Sequence, residues 1–351
     1  MAQYNIAVVG VGAVGEELLR VLSEHNFPAR EIRVLARSAR QITVDGRSYQ
    51  VEPTTPESFD GVDIALFAGT EGEKGAATVF GIDAAKRGVV IIDNGSDFRM
   101  RPDVPLVVPE VNGHVLERHE GIIANPNCST AQLVLALKPL HDAVGIKHVI
   151  VSTYQAVSGA GASGATELNR QNAQIASGGS ITEAPSTFSL QIAGNVIPQI
   201  GGFDENGYTS EEMKLVHETR KIMGDPSIKV TPVVAARVPV ITGHSESVYV
   251  ELKSPLTPEQ ARDLWRSAPG IALLDDLNAD NPADRYPTPL AAAGKDTTFV
   301  GRVRQDLDNS YGLNFWVVSD NLRKGAATNA VQIAEHLVEH GWVKGNRTVA
   351  A

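Results

Sequence analysis

The chain has 351 residues, 42% hydrophobic and 21% charged, a composition that excludes extended disorder and suits about two domains at ~150 residues each. With 31 Lys and Arg against 41 Asp and Glu, the net charge of −10 argues against nucleic acid or an anionic membrane as main partner. One cysteine excludes an internal disulfide and a cysteine-rich zinc site, so no metal is expected. No apolar run approaches the ~18 residues of a membrane helix, and Met1-Ala2-Gln3-Tyr4-Asn5 lacks the charged start of a signal peptide. The expected compartment is the cytoplasm.

In chain order, residues 5–10 read as a buried strand, followed by a glycine-rich turn and a helical period carrying Leu18, Leu19 and Leu22. Residues 31–36, 63–68 and 89–93 are further short apolar strands, with a helix expected over 73–87. This alternation predicts βαβ units and a parallel sheet. Beyond about residue 145 the runs become longer and partly alternating, at 147–156, 228–238, 246–253, 297–304 and 310–318. Few helices are expected between them, so the second sheet is expected to be mostly antiparallel or mixed. Residues 177–209, rich in Gly, Ser, Pro and Asn, read as a long excursion loop. A last helix is expected from the capping pair Asp320-Asn321, with Leu322, Ala326, Ala330, Ile333, Ala334 and Leu337 on its apolar face.

Gly10-Val11-Gly12-Ala13-Val14-Gly15 fits G-x-G-x-x-G between a strand and a helix. That context turns a weak pattern into a dinucleotide signal, against the blander reading of a tight strand–helix turn. The second strand ends Leu35-Ala36-Arg37-Ser38-Ala39-Arg40, without the acid that would hold a free ribose 2′-hydroxyl. Arg37 and Ser38, with Arg40 beside them, suit a 2′-phosphate and favour NADP, unless this is simply a solvated basic turn.

Cys128 lies in Asn125-Pro126-Asn127-Cys128-Ser129-Thr130, just ahead of the helical stretch Ala131–Leu137. A lone cysteine is usually a small buried hydrophobe. A helix start lowers a thiol's pKa, and its N–H groups can stabilise an oxyanion, so this one reads as a nucleophile.

The Asn-Pro-Asn-Cys-Ser-Thr segment, with Ser152-Thr153-Tyr154-Gln155-Ala156-Val157-Ser158-Gly159-Ala160-Gly161 downstream, resembles the aspartate-semialdehyde dehydrogenase family. Asn94–Met100, Val107–Asn112, Asn195–Ile200, Glu211-Glu212-Met213-Lys214, Arg237–Val240, Gly243-His244-Ser245 and Asp320–Ala326 extend the resemblance over nearly the whole chain. It implies NADP-dependent interconversion of aspartate 4-semialdehyde plus phosphate with 4-aspartyl phosphate. That step serves lysine/diaminopimelate, methionine, threonine and isoleucine biosynthesis. It implies Cys128 as nucleophile forming an acyl-thioester, His244 as general acid/base and Gln155 orienting the intermediate. Arg237 resembles the arginine gripping the α-carboxylate, and Glu211 the carboxylate facing the α-amino group. Lys214 and Arg99 match the phosphate-holding cations, with Asn127 nearby. Taken alone, Glu211 and Lys214 would read as an exposed helix ion pair. Ser158, Gly159 and Asn321 join Gly10, Val11, Gly12, Ala13, Val14, Gly15, Arg37 and Ser38 on the cofactor side.

Departures fall on that side. The first turn is one residue shorter than the family's, Phe67-Ala68-Gly69-Thr70 stands where Ser-Ala-Gly-Gly is usual, and Gly95 replaces a threonine. The expected architecture is a Rossmann-type parallel-sheet dinucleotide domain, 1–127 with 321–351, plus an α+β catalytic and dimerisation domain, 128–320. A homodimer or tetramer is expected, with the 177–209 excursion at the subunit interface. Two rivals stand beside this reading. The sister enzyme reducing N-acetyl-γ-glutamyl phosphate binds no free α-amino group, so Glu211 argues against it. A catalytically silent relative acting as a binding protein is opposed by the joint presence of Cys128, Gln155, Arg237 and His244.

Overall fold

The computed structural model describes residues 3–69, 72–181 and 184–343, so Met1, Ala2 and Thr70 of the sequence reading lie outside the described residues. The chain divides into two units, Met1–Asn127 with Ala326–Ala351, and Cys128–Gly325. The first begins with β1 (Tyr4–Val9), α1 (Ala13–Glu24), β2 (Ala29–Ala36), β3 (Arg40–Val44), β4 (Arg47–Pro53) and β5 (Ile64–Phe67). It continues with α2 (Ile82–Lys86), β6 (Val90–Asp93), α3 (Pro109–Asn112) and β7 (Ile122–Ala124). The second opens with α4 (Cys128–Val144), β8 (Ile146–Gln155), α5 (Ala162–Ala176), α6 (Ser210–Met223), β9 (Lys229–Arg237) and β10 (His244–Leu252). It then runs through α7 (Pro258–Ser267), β11 (Ile271–Leu273), α8 (Pro289–Ala292), β12 (Thr298–Gln305) and β13 (Gly312–Ser319). α9 (Thr328–Glu339) returns to the first unit. No helix among the described residues is long and apolar enough to cross a membrane.

The first unit's sheet has the order β3-β4-β2-β1-β5-β6-β7. β1 is buried throughout and pairs in parallel with β2 and β5, as an apolar strand covered on both faces should. Leu18, Leu19 and Leu22 of α1 and Ala330, Ile333, Ala334 and Leu337 of α9 belong to its core. The sheet is not wholly parallel, because β3 and β4 form an antiparallel hairpin at one edge. Asp45 and Gly46 at its tip both have positive φ, 48° and 79°, the conformation an Asp-Gly hairpin turn uses. The helix expected over 73–87 is a π-helical turn at Ala77–Gly81 followed by the short α2.

The last helix starts at Thr328, not at Asp320-Asn321. The Asp320 carboxylate accepts from the amides of Leu322 and Arg323, so it does act as a cap, but of a wide π turn at Arg323–Ala327. Residues 321–325 stay with the second unit. The Asn321 side chain donates to Ser158 Oγ at 2.9 Å and accepts from the Gly243 amide at 2.9 Å, and Arg323 pairs with Asp296 at 2.9 Å.

The second unit's sheet is mixed, in the order β11-β12-β13-β10-β8-β9. α4 lays Leu133, Ala136, Leu137 and Leu140 into a core with Val149, Val151, Val248, Val250 and Phe315. Trp265 of α7 is fully buried in that core and donates its indole N–H to the Ala136 carbonyl at 2.9 Å. α5, α6 and α7 correct the expectation of few helices. Two of them begin with a capping box, Thr209 with Glu212 and Thr257 with Gln260.

The 177–209 excursion is held to α5 by buried side chains. Glu167 accepts from the amides of Ser186 and Thr187 at 3.1 and 2.6 Å and from Ser186 Oγ at 3.0 Å. Gln171 accepts from the amides of Ile192 and Ala193 at 3.0 and 2.9 Å. Glu167→Ala removes a charged acceptor from four donors, the Gln171 side-chain amide included, and should cost about 2–4 kcal/mol of stability. Urea unfolding measures that cost, and limited proteolysis should cut the variant faster within 177–209.

Candidate active site

In a strand, alternate side chains share one face. On the face of the second sheet that packs on α4, that row is apolar along most of its length, through Val149 and Val151, Val248 to Leu252, and Leu313 to Val317. At the other end it turns polar: Thr153 and Gln155 on β8, His244 and Glu246 on β10, and Ser319 on β13, all buried. α4 begins with Cys128, and Gln132 follows one turn later, also buried.

Gln155 organises this end. Its amide oxygen accepts from Thr153 Oγ1 at 3.0 Å, and its Nε2 donates to Glu211 at 3.1 Å and lies 3.4 Å from His244 Nε2. Glu211 opens α6 with its side chain buried and ion-pairs with Lys214 at 3.3 Å. Glu212 beside it is structural: it completes the capping box and accepts from the Ala235 amide at 2.9 Å. Arg237, at the end of β9, donates to the Ala156 carbonyl at 2.7 Å and lies 5.9 Å from the Phe188 ring centroid.

Burial lowers Arg237's pKa, while the neighbouring Cys128 and Glu211 charges push it back up. Burial, aided by Arg237, pushes His244 down to about 3, with Glu211 opposing. The Ala156 amide donates to His244 Nδ1 at 3.0 Å, so the neutral ring carries its proton on Nε2. Protonating Nδ1 as well would break that bond, so the geometry and the electrostatics agree.

Gly159 fills a close approach: a Cβ there would stand 2.7 Å from an Arg237 nitrogen and 3.2 Å from the His244 ring. Gly325 serves Cys128 likewise, where a Cβ would lie 2.7 Å from the cysteine's Cβ. Ser158 and Asn321 hydrogen-bond each other.

The remaining expected site residues belong to the first unit, along the edge where its parallel strands end. Gly10 takes φ +98°, and a Cβ on Gly15 would lie 1.9 Å from the Gly10 carbonyl oxygen, so neither tolerates a side chain. Val11 and Val14 also pack against the core, and Ala13 opens α1. Gly12 has open space, and α1 starts with no side-chain cap. Arg37, Ser38 and Arg40 are exposed after β2. Arg99 is buried and donates to the carbonyls of Asn125 and Asn94 at 2.9 and 2.8 Å, and Asn127 is buried as well. Sequence reasoning missed Asn329 of α9, which donates to Asn125 Oδ1 at 2.6 Å and to the Val107 carbonyl at 2.8 Å, anchoring the segment that leads to Cys128.

Three outcomes follow. Turnover should show no acid limb near pH 6.5, because His244 stays neutral down to about 3. By the same linkage, its burial adds stability above the ordinary histidine range that is lost as pH falls from there toward 3, measurable as Tm against pH. Gly159→Ala should displace Arg237 and His244 and lower kcat/KM by about a hundredfold, with the fold intact by circular dichroism.

The family description "Semialdehyde dehydrogenase, NAD binding domain" matches residues 5–119, and "Semialdehyde dehydrogenase, dimerisation domain" matches 137–324. Aspartate-semialdehyde dehydrogenase of Aquifex aeolicus is 49% identical over 348 residues, 97% of this chain and 99% of that protein. The crystal structure of aspartate semialdehyde dehydrogenase II from Vibrio cholerae, complexed with ASA, superposes with a TM-score of 0.89 at 47% identity, covering 97% of this chain and 99% of that one. The Candida albicans enzyme with NADP shares the fold, with a TM-score of 0.72 at 24% identity, covering 96% and 99%.

Proposed function

The chain belongs to the aspartate-semialdehyde dehydrogenase family, and we propose that it reversibly converts L-4-aspartyl phosphate to L-aspartate 4-semialdehyde and phosphate with NADP. The observation carrying this reading is the buried set of Gln155, Glu211, Arg237 and His244, gathered with Cys128 at the start of α4. A small substrate bearing an ammonium and a carboxylate needs such opposite charges in fixed positions.

Cys128, as thiolate, attacks the acyl carbon of aspartyl phosphate. The S–C bond forms, the C–O bond to phosphate breaks, and an acyl-thioester and free phosphate result. The reduced nicotinamide, when bound, supplies the hydride that brings the thioester to the aldehyde level. Collapse of the thiohemiacetal breaks the S–C bond and returns the thiolate. His244 is the acid/base group, presenting its Nε2–H to the oxygen that carries negative charge at each tetrahedral stage. Gln155 orients the acyl group. Arg237 grips the α-carboxylate, and Glu211 faces the α-amino group. Lys214 and Arg99, with Asn127, hold the phosphate.

The Gly10–Gly15 turn fits a dinucleotide, since the open space at Gly12 and the uncapped start of α1 leave N–H groups for a pyrophosphate. Arg37 and Ser38 suit a 2′-phosphate, and Ser158, Gly159 and Asn321 are assigned to the nicotinamide end. The match to the dimerisation domain supports a homodimer, which would cover the outer face of the second sheet. Tyr154 and Trp316 pack there 5.5 Å apart, and Val233 is exposed. The 177–209 excursion borders that interface, and a tetramer would pair two dimers. The reaction belongs in the cytoplasm, which suits a chain with one cysteine.

The purified enzyme should reduce NADP when given aspartate semialdehyde and phosphate, with NAD a poorer acceptor. N-acetylglutamate semialdehyde should fail, because its blocked amine offers Glu211 no ammonium to bind; comparable turnover of it would favour the sister reductase. Cys128→Ser should lose at least about a thousandfold in turnover. Arg237→Lys keeps the charge but not the planar fork, so kcat should fall about a hundredfold while the semialdehyde KM rises. Steady-state kinetics with each substrate varied in turn measures both.

A further inference from the structure

Glu246 has no part in the chemistry above, yet it is fully buried two residues from His244 on the same face of β10. Neither carboxyl oxygen has a hydrogen-bond partner of ordinary geometry. The group acting on it is the Gln132 side-chain amide, whose Nε2 is equally without a partner. The other end of that amide is engaged, since Gln132 Oε1 accepts from Ser319 Oγ at 2.6 Å. In the sheet, Ser319 stands opposite His244, and Glu246 stands opposite Thr153 and Val317. Thr153 in turn orients Gln155. Gln132 lies one helical turn after Cys128.

We propose that Glu246 is a positioning residue for the reaction at Cys128: through Gln132 and Ser319 it fixes the first turn of α4 against the strands that carry His244 and Gln155. This rests on the reading of Cys128 as nucleophile. A buried carboxyl with no cation beside it is held uncharged. Burial pushes it up to about 8, which Gln132 only partly offsets. The groups facing it are Gln132 and, a turn earlier, Cys128 from α4, Thr153 and Gln155 from β8, Val317 and Ser319 from β13, and His244 on its own strand. None supplies a cation at neutral pH, since His244 is itself held neutral. An ionised Glu246 would set a buried negative charge one helical turn from the thiolate, with only the Gln132 amide to stabilise it.

The sign of the linkage follows. A carboxyl whose folded pKa lies above its unfolded value stabilises the fold fully below the ordinary glutamate range. That contribution declines as pH rises and is gone by about pH 8.

Three measurements on the full-length enzyme test the proposal, using Glu246→Gln and Glu246→Leu. First, the Tm advantage of Glu246→Gln over wild type should widen between pH 5 and 8 and then level off. Second, wild-type turnover should fall at least threefold above pH 8, and Glu246→Gln should lack that alkaline limb. Third, Glu246→Leu at pH 7 should show kcat about tenfold lower with the semialdehyde KM within twofold. A pH-independent Tm difference, an alkaline limb retained in Glu246→Gln, or wild-type kcat in Glu246→Leu would each overturn it. Should the leucine variant fail to fold, the glutamine variant decides. The pH dependence of Cys128 alkylation by iodoacetamide, read on wild type and Glu246→Gln, needs no substrate. A step above pH 8 in wild type and not in the variant supports Glu246's role even if the semialdehyde reaction fails, and identical profiles refute it.

Discussion

A helix leaves its first N–H groups without partners inside itself, and α4 places that end in a buried setting: Ser129, Thr130 and Ala131 are all excluded from solvent. Such a start calls for acceptors or negative charge close by, and it favours the thiolate form of a cysteine placed there. The demand shapes the sheet beneath. The row of side chains under α4 is hydrocarbon where the helix body lies, and that packing sets the helix's height over the strands. Where the helix begins, the same row must switch to groups that hydrogen-bond. Thr153, Gln155, His244, Glu246 and Ser319 are that switch.

Burial then decides which of these groups carry charge. His244 has Glu211 nearby to favour its cation, yet desolvation and Arg237 win and the ring stays neutral. Glu246 has only an amide, and desolvation holds it protonated. Neutral in opposite ways, the two leave Arg237 and Glu211, with Lys214 paired to the latter, as charged side chains around them. A small molecule carrying both an ammonium and a carboxylate would meet charges of both signs there, in a medium where each attraction is strong.

How much of this was legible follows from which signals are local. The strand, turn and helix at residues 4–24 could be read because the glycines dictate the turn by themselves. The β3–β4 hairpin was missed although Asp45-Gly46 between alternating apolar positions announces it, and Thr209 with Glu212 likewise announces α6. These were signals present and unread. Other features were not available. Nothing local says that Gln132 reaches Ser319, 187 residues away, or that Asn329 anchors Asn125 from 204 residues away. Glu246 could be placed on the inward face by alternation, but its lack of a cation partner is a property of the folded neighbourhood. Glu211 and Lys214 do form the ion pair their spacing suggests, yet the pair is not the exposed one that spacing alone implies, because Glu211's carboxylate is buried against Gln155.

The excursion at 177–209 shows how a segment without regular structure gains a defined shape. Glu167 binds the amides of Ser186 and Thr187, and the next residue, Phe188, is the one whose ring lies near the Arg237 guanidinium. Phe188 also packs on Gly164, one helical turn before Glu167, where a Cβ would come within 3.1 Å of the ring. The backbone is thus clamped by a buried carboxylate and the ring is seated by an absent side chain, both on α5. The aromatic surface occupies part of Arg237's surroundings, and its donation to the Ala156 carbonyl takes one N–H. What remains of the guanidinium fork has few directions in which to turn. A grip that depends on planar, two-point geometry needs that restriction, because a freely rotating arginine would spend binding energy on orienting itself.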